Sequence, residues 1–298
     1  MAIIKGRSII LKLSHRTAIR GILSFCLVLF SIASPAFART APILSSGDHV
    51  WLATEYGLYR YNKAQDEWSV FSAGSGLAGN NLRDIGIEKA ILWAAKDGGV
   101  SNSAVRFSDW RSYTNEDGLP SNDIRSIAFS EDYVWVGTNT GIARFDKLLE
   151  EWESYSQADG LADDEVNDIA VDDDTVWFAT SNGVSELEIE FDKWTTHASE
   201  AGLPSTNVTW ALGVGEYTWF VTDRGLARYD KRLRSWKSYG LADGIAGHSI
   251  NDVIAYGDKI WIATVDGVSS YDPLSDSWAL GLDYHAMLPS KNVVDLTL

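Results

Sequence analysis

The sequence predicts an all-β propeller built from six copies of a four-stranded unit, on three observations. The first is a ladder of tryptophans, Trp51, Trp93, Trp135, Trp177, Trp219 and Trp261, in steps of 42 residues. The second is a parallel ladder, Trp68, Trp110, Trp152, Trp194, Trp236 and Trp278, in the same step of 42, so that 12 of the 13 tryptophans are in phase. The third is that each period holds four short strand patterns separated by turn residues. A repeat of roughly 40–45 residues made of short strands is the pattern of propeller blades.

The unit that begins near Trp135 shows how each element is read. Val134 to Thr138 is the first strand and Asn139-Thr140-Gly141 the turn, since Asn and Gly adopt positive φ at little cost. Ile142 to Phe145 is the second strand and Glu151 to Ser156 the third. A loop from Gln157 to Asp164 leads to the fourth, Val166 to Val171. Glycine closes the first turn in every unit, at Gly57, Gly99, Gly141, Gly183, Gly225 and Gly267. The loop recurs at Gly76, Gly118, Gly160, Gly202 and Gly244. Two residues after the first-ladder Trp stand Ala53, Ala95, Gly137, Ala179, Val221 and Ala263. Small side chains there suit an innermost strand crowded around an axis, which places the fourth strand outermost. A parallel β-helix fits poorly, because its coils are shorter and lack hairpin turns.

The ends add two features. Residues 1–38 combine Lys5, Arg7, Lys12, Arg16 and Arg20 with the apolar run Gly21 to Ala33 and the small-x-small triplet Ala36-Phe37-Ala38. This is the pattern of an export signal cleaved after Ala38, with an apolar run too short for a comfortable span. The expected product is a periplasmic or secreted domain of residues 39–298. Residues 40–46 then read as a lone N-terminal strand, and Val293 to Leu298 as the fourth strand of the sixth unit. Six units and a quarter fit six blades with a spare strand or part of a seven-bladed ring. The single cysteine, Cys26, lies within the signal, so the mature product folds without disulfides.

Composition excludes some partners. The formal net charge is −16, and the basic residues of the first 38 positions leave the remainder more acidic still. Such a surface repels nucleic acid and anionic membrane. There is no Gly-x-Ser-x-Gly, phosphate loop or dinucleotide fingerprint, and none of His49, His197, His248 and His285 has zinc spacing, so neither a catalytic set, a metal nor a cofactor is expected.

The repeats resemble the two-component regulator propeller family. The residues that carry the resemblance are Val134-Trp135-Val136-Gly137-Thr138, Gly141-Ile142-Ala143-Arg144-Phe145-Asp146 and Asp117-Gly118-Leu119-Pro120-Ser121-Asn122-Asp123-Ile124, repeated in phase over residues 40–298. The resemblance implies a periplasmic β-propeller that senses a ligand, often a glycan, in partnership with a membrane histidine kinase. No kinase or receiver sequence is present, so phosphotransfer by this polypeptide is not expected. A protein-binding scaffold and a polysaccharide lyase or hydrolase are the alternatives.

Departures from the repeat supply the candidate ligand-binding residues. Trp210 is off both ladders, where other units have Asp84, Ser126, Asp168 and Asp252. Read as outermost, it offers a stacking platform; alternatively it repacks a shifted apolar face with Leu212 and Val214. Arg60, Arg144 and Arg228 share one offset in alternate units, a cationic set for an acidic glycan or three separate surface pairs. The ladder tryptophans read as packing between blades. The runs 163–165 and 172–174 have calcium-type oxygens but no calcium motif, and turn capping accounts for them.

Overall fold

A computed structural model describes residues 43–105, 109–172, 174–199, 202–280, 291–293 and 296; the export-signal segment and His285 lie outside them. The described strands form six four-stranded antiparallel sheets, each a simple meander. The first sheet is β1 (Ile43–Ser46), β2 (His49–Thr54), β3 (Gly57–Asn62) and β4 (Glu67–Phe71). The second is β5 (Leu82–Glu88), β6 (Ile91–Lys96), β7 (Gly99–Ala104) and β8 (Arg111–Tyr113). The third is β9 (Ile124–Phe129), β10 (Tyr133–Thr138), β11 (Gly141–Asp146) and β12 (Glu151–Tyr155). The fourth is β13 (Val166–Asp172), β14 (Thr175–Thr180), β15 (Gly183–Glu188) and β16 (Lys193–His197). The fifth is β17 (Val208–Val214), β18 (Tyr217–Thr222), β19 (Gly225–Asp230) and β20 (Ser235–Tyr239). The sixth is β21 (Ile250–Tyr256), β22 (Lys259–Thr264), β23 (Gly267–Asp272) and β24 (Ser277–Leu280). This is the expected all-β propeller architecture.

The chain divides into two compact units, one holding the first four sheets and most of the fifth, the other holding residues 239–298 with 223–225.

The sheets are phased differently from the sequence units. Val166–Asp172 pairs with Thr175–Thr180 of the following unit, so it opens a sheet instead of closing one. Likewise Ile43–Ser46 is not a lone strand but the first strand of the first sheet, paired along β2. In the larger unit these first strands flank one another. Arg125 Nη1 donates to Asn167 Oδ1 at 2.9 Å, and Asn167 Nδ2 to the Val208 carbonyl at 2.8 Å. Ser126 Oγ donates to Asp168 Oδ1 at 2.8 Å, and the Ala211 amide to Asp168 Oδ2 at 3.0 Å. The first strand is therefore the inner one and the fourth the outer one. The small residue after each first-ladder Trp lies on the second strand. It is small because the next sheet's first strand crowds it: a Cβ on Gly137 would stand 2.9 Å from Val166 Cγ1.

In the smaller unit Val293 and Leu296 stand against β21 as β17 stands against β13. Asn251 Nδ2 donates to the Val293 carbonyl at 2.7 Å, and the Leu296 amide to Asp252 Oδ2 at 2.9 Å. These two residues thus occupy a next first-strand position, not the fourth strand of the sixth sheet.

Burial explains both ladders. Trp51, Trp93, Trp135, Trp177 and Trp219 are buried, and second-ladder rings seal the joints between sheets. Trp152 meets Trp93 and Tyr113 of the preceding sheet edge-on, at 6.5 and 5.5 Å, the geometry aromatic quadrupoles favour. The loop glycine of the preceding sheet then packs against the second-ladder residue at Trp110, Trp152, Trp194, Trp236 and Trp278. At Gly118, φ is +110° and a Cβ would lie 3.3 Å from Trp152 Cβ. Ser154 Oγ donates to the Gly118 carbonyl across the same joint.

Candidate functional site

Rigid repeats present their turns and joints to ligands, so a site is sought where one joint departs from the rest. The joint between the fourth and fifth sheets does. It opens into a cleft of about 210 Å³ lined by Asp174, Thr175, Trp177, Glu186, Glu188, Glu190, Phe191, Tyr229, Lys231 and Arg234.

Two substitutions in the repeat shape it. At the offset of Arg60, Arg144 and Arg228, the fourth sheet has Glu186 on β15. At the offset of Phe71, Tyr113, Tyr155 and Tyr239, it has His197 on β16. The two side chains meet, with His197 Nε2 2.9 Å from Glu186 Oε2. In the third sheet the same place is held by Arg144 and Glu153 at 2.5 Å, with the Tyr155 hydroxyl donating to Glu153 at 2.8 Å. The fourth sheet therefore reverses the polarity and turns a carboxylate toward the cleft. The His197 ring packs against Trp177, Tyr229 and Trp236, with centroids 5.8, 5.7 and 5.1 Å away.

The charges around the cleft are unevenly satisfied. Lys231 is held by Asp172, which also accepts from Thr218 Oγ1 at 3.3 Å. Arg234 lies 3.5 Å from Glu188, which Lys193 approaches to 2.7 Å. The Lys193 hydrogen bond holds the Glu188 carboxyl below its ordinary value. Burial, and then the Glu186 carboxylate, pushes the Tyr229 phenol up, so it stays a neutral donor. Among the described residues, Asp174 and Glu190 are in no ion pair, and both are exposed. The lining is thus four carboxylates against two cations that already have partners, set on the rings of Trp177, Tyr229 and Phe191.

The candidate residues read from sequence fall elsewhere. Trp210 is on β17, an inner strand, half-buried and paired with Val221 at a register shift; the exposed outermost platform is therefore a misplacement caused by the phase of the units. The three arginines sit on the third strands of three different sheets, each over rings of its own sheet. Arg60 lies over Trp51 and Phe71 at 5.5 and 5.3 Å, Arg144 over Tyr133 at 4.7 Å, and Arg228 over Tyr217 at 4.2 Å. They are not brought together. The acidic run 163–165 serves turns, with Asp163 Oδ1 accepting the Glu165 amide at 2.8 Å and Asp164 Oδ1 the Gln157 amide at 2.7 Å, whereas Asp172 holds Lys231 and Asp174 lines the cleft. Sequence reasoning missed the Glu186–His197 pair, although both departures are visible once their two offsets are compared together.

The repeat that joins these sheets has a known counterpart. Residues 118–140, running from the loop glycine through β9 and β10 to the next turn, match the family model described as the two component regulator propeller. That stretch is one copy of a unit the chain repeats with a 42-residue step. No curated protein matches the chain. Among solved structures it is similar to the extracellular domain of BT4673 from B. thetaiotaomicron, described as a hybrid two component system. That match has 18% identity and a TM-score of 0.67, covering 83% of this chain and 37% of that one. It is also similar to the extracellular domain of BT3049 from the same organism, with 18% identity, a TM-score of 0.64 and coverage of 87% and 37%. A third is virginiamycin B lyase from Staphylococcus aureus, with 12% identity, a TM-score of 0.59 and coverage of 81% and 83%. The chain spans little more than a third of those two extracellular domains, and the likeness in all three is one of fold. Two extracellular domains and a lyase thus share its fold. No helix among the described residues is long and apolar enough to cross a membrane.

Proposed function

We propose that this chain is an exported, non-catalytic recognition module that binds an extracellular ligand, a glycan or a polypeptide, and works with a membrane histidine-kinase system. The observation that carries the reading is the cleft between the fourth and fifth sheets, where aromatic faces and carboxylates stand together at the joint that breaks the repeat. Rings offer stacking area and carboxylates accept hydrogen bonds, the usual pairing in a site that fixes a ligand's orientation. Residues 118–140 and the resemblance to extracellular sensor domains support it. Recognition is assigned to this cleft ahead of Trp210, Arg60, Arg144 and Arg228, because those guanidinium groups already lie over rings of their own sheets. Export follows from residues 1–38, with cleavage after Ala38.

The test is thermal denaturation of the exported protein against a panel of neutral, acidic and amino glycans and short peptides of each charge. A ligand that binds the folded form raises the melting temperature by mass action. A Glu186→Gln, Glu190→Gln variant should lose the shift that the wild type shows. A panel that leaves the wild-type curve unmoved overturns the reading.

A further inference from the structure

Phe191, which lines this cleft, has exposed apolar counterparts on the equivalent turns of the third and fifth sheets. The turn between the third and fourth strands exposes Leu148 (90%) and Leu149 (64%) in the third sheet, Phe191 (67%) in the fourth and Leu233 (64%) in the fifth. Their projection is fixed by the backbone. Asp146 Oδ1 accepts the amides of Leu148 and Leu149 at 2.8 and 2.9 Å, and Asp230 Oδ1 accepts that of Leu233 at 2.8 Å. Glu150, Asp192 and Arg234 then leave each turn with φ of +56°, +46° and +52°. The apolar residues are held outward at corresponding positions of three successive sheets. Single exposed apolar side chains need no explanation, but Leu149, Phe191 and Leu233 recur at one turn position of three successive sheets, and the middle one lines a charged cleft.

Charge decides what that surface takes. Lys231 and Arg234 are engaged by Asp172 and Glu188, while Glu190 and Asp174, which line the cleft with Phe191, are exposed and in no ion pair among the described residues. A cation entering there gains both carboxylate attraction and the ring faces of Trp177, Tyr229 and Phe191. An anionic ligand meets repulsion from a lining in which acids outnumber bases, on a chain of net charge −16. The exposed leucines on the equivalent turns of the third and fifth sheets suit leucine-like side chains and offer little to sugar hydroxyls.

We propose that the cleft and the turns carrying Leu149, Phe191 and Leu233 form a docking surface for an extracellular polypeptide, which inserts a lysine or arginine side chain between the fourth and fifth sheets and lays flanking apolar residues along the turns. This rests on the recognition reading and narrows its ligand to a basic, apolar-flanked segment. Rings at the mouth and a buried floor favour a side chain on a folded or extended partner over a free metal ion.

The experiment is calorimetric titration of the exported protein with a capped synthetic peptide presenting one lysine between leucines. Controls replace that lysine with norleucine or glutamate, and a glucosamine tetramer supplies a cationic sugar of the same sign. The expected result is binding by the lysine peptide that weakens as salt rises, and at least about tenfold weaker binding by either control peptide. Glu190→Gln with Asp174→Asn, and separately Phe191→Ser, should each weaken it about tenfold while leaving the melting temperature in place, since all three residues are exposed. Absent binding, binding indifferent to the lysine, or binding unchanged in both variants overturns the proposal. So does binding of the glucosamine tetramer alone. If a glycan moves the melting curve while the peptide does not bind, recognition stands and this inference falls; if no ligand acts, both fall.

Discussion

Individual residues separate into those that hold the repeat and those that break it. Trp135 is fully buried and meets Phe178 of the next sheet edge-on at 5.7 Å, whereas Leu148, on the turn that follows β11, is 90% exposed. Trp135→Ala should cost about 3–5 kcal/mol through lost burial and the cavity left behind. Leu148→Ser should stay within about 0.5 kcal/mol, and urea unfolding of the two variants measures the contrast. A sharper test is the Glu186–His197 pair. Changing Glu186→Arg alone sets a guanidinium beside an imidazole, and His197→Tyr alone leaves the carboxylate with a phenol. Together they restore the arginine-and-tyrosine pattern of the third sheet, where Arg144 lies 5.4 Å from the Tyr155 ring. The double variant should be more stable than the sum of the singles by about 0.5–3 kcal/mol. Additive effects would mean that the two positions are not coupled. Both departures could be read in the sequence as residue types. Their contact could not, because it depends on which strands pair.

At the scale of elements, the turns and loops were the most legible part. Gly141 closes its hairpin at φ +125°, where a Cβ would stand 2.5 Å from the Tyr155 carbonyl, so a glycine at each equivalent turn is a steric requirement. Thr138 Oγ1 donates to the Gly141 carbonyl at 2.8 Å and completes the turn. What the elements do to one another was less legible. The Arg125 guanidinium of β9 lies 2.8 Å from Glu165 at the start of the fourth sheet. That hydrogen bond, then one from Ser181, holds the Glu165 carboxyl below its ordinary value of 4.5, and Lys193 does the same for Glu188. A carboxyl whose folded pKa is depressed adds stability that is present above 4.5 and lost as pH falls through the folded value. The urea midpoint should therefore decline on acidification below pH 4.5, and Arg125→Ala should flatten that decline. Because the Glu165 side chain is about half exposed, salt should shrink the effect. An Arg125→Ala profile parallel to wild type would remove this pair from the acid limb.

For the whole molecule, periodicity revealed how many units there are but not where each begins. A repeat read from its tryptophans starts at the tryptophan; a sheet starts where hydrogen bonds start, one strand earlier. The 42-residue period is blind to that choice, because shifting the frame leaves every interval unchanged. The two frames predict opposite dynamics. With Val166–Asp172 as an outer strand, its amides would face solvent along a sheet edge and exchange early. In the structure it is an inner strand: it pairs with β14, Asn167 bonds to Val208, and Asp168 bonds to Ser126 and Ala211 on either side. Opening it would break contacts with both neighbouring sheets. An outer strand such as β12 or β16 has one sheet partner and half its amides directed away from it. Native-state hydrogen exchange reports local opening directly. We expect β9, β13 and β17 to be the slowest strands of the larger unit and β12 and β16 the fastest. Trp210 should be protected with β17, despite its departure from both ladders. If β13 exchanges as fast as β16, the inner position of the first strand is wrong. The placement of Trp210, and the assignment of recognition to the turns beyond Phe191 and Leu233, would then have to be redrawn.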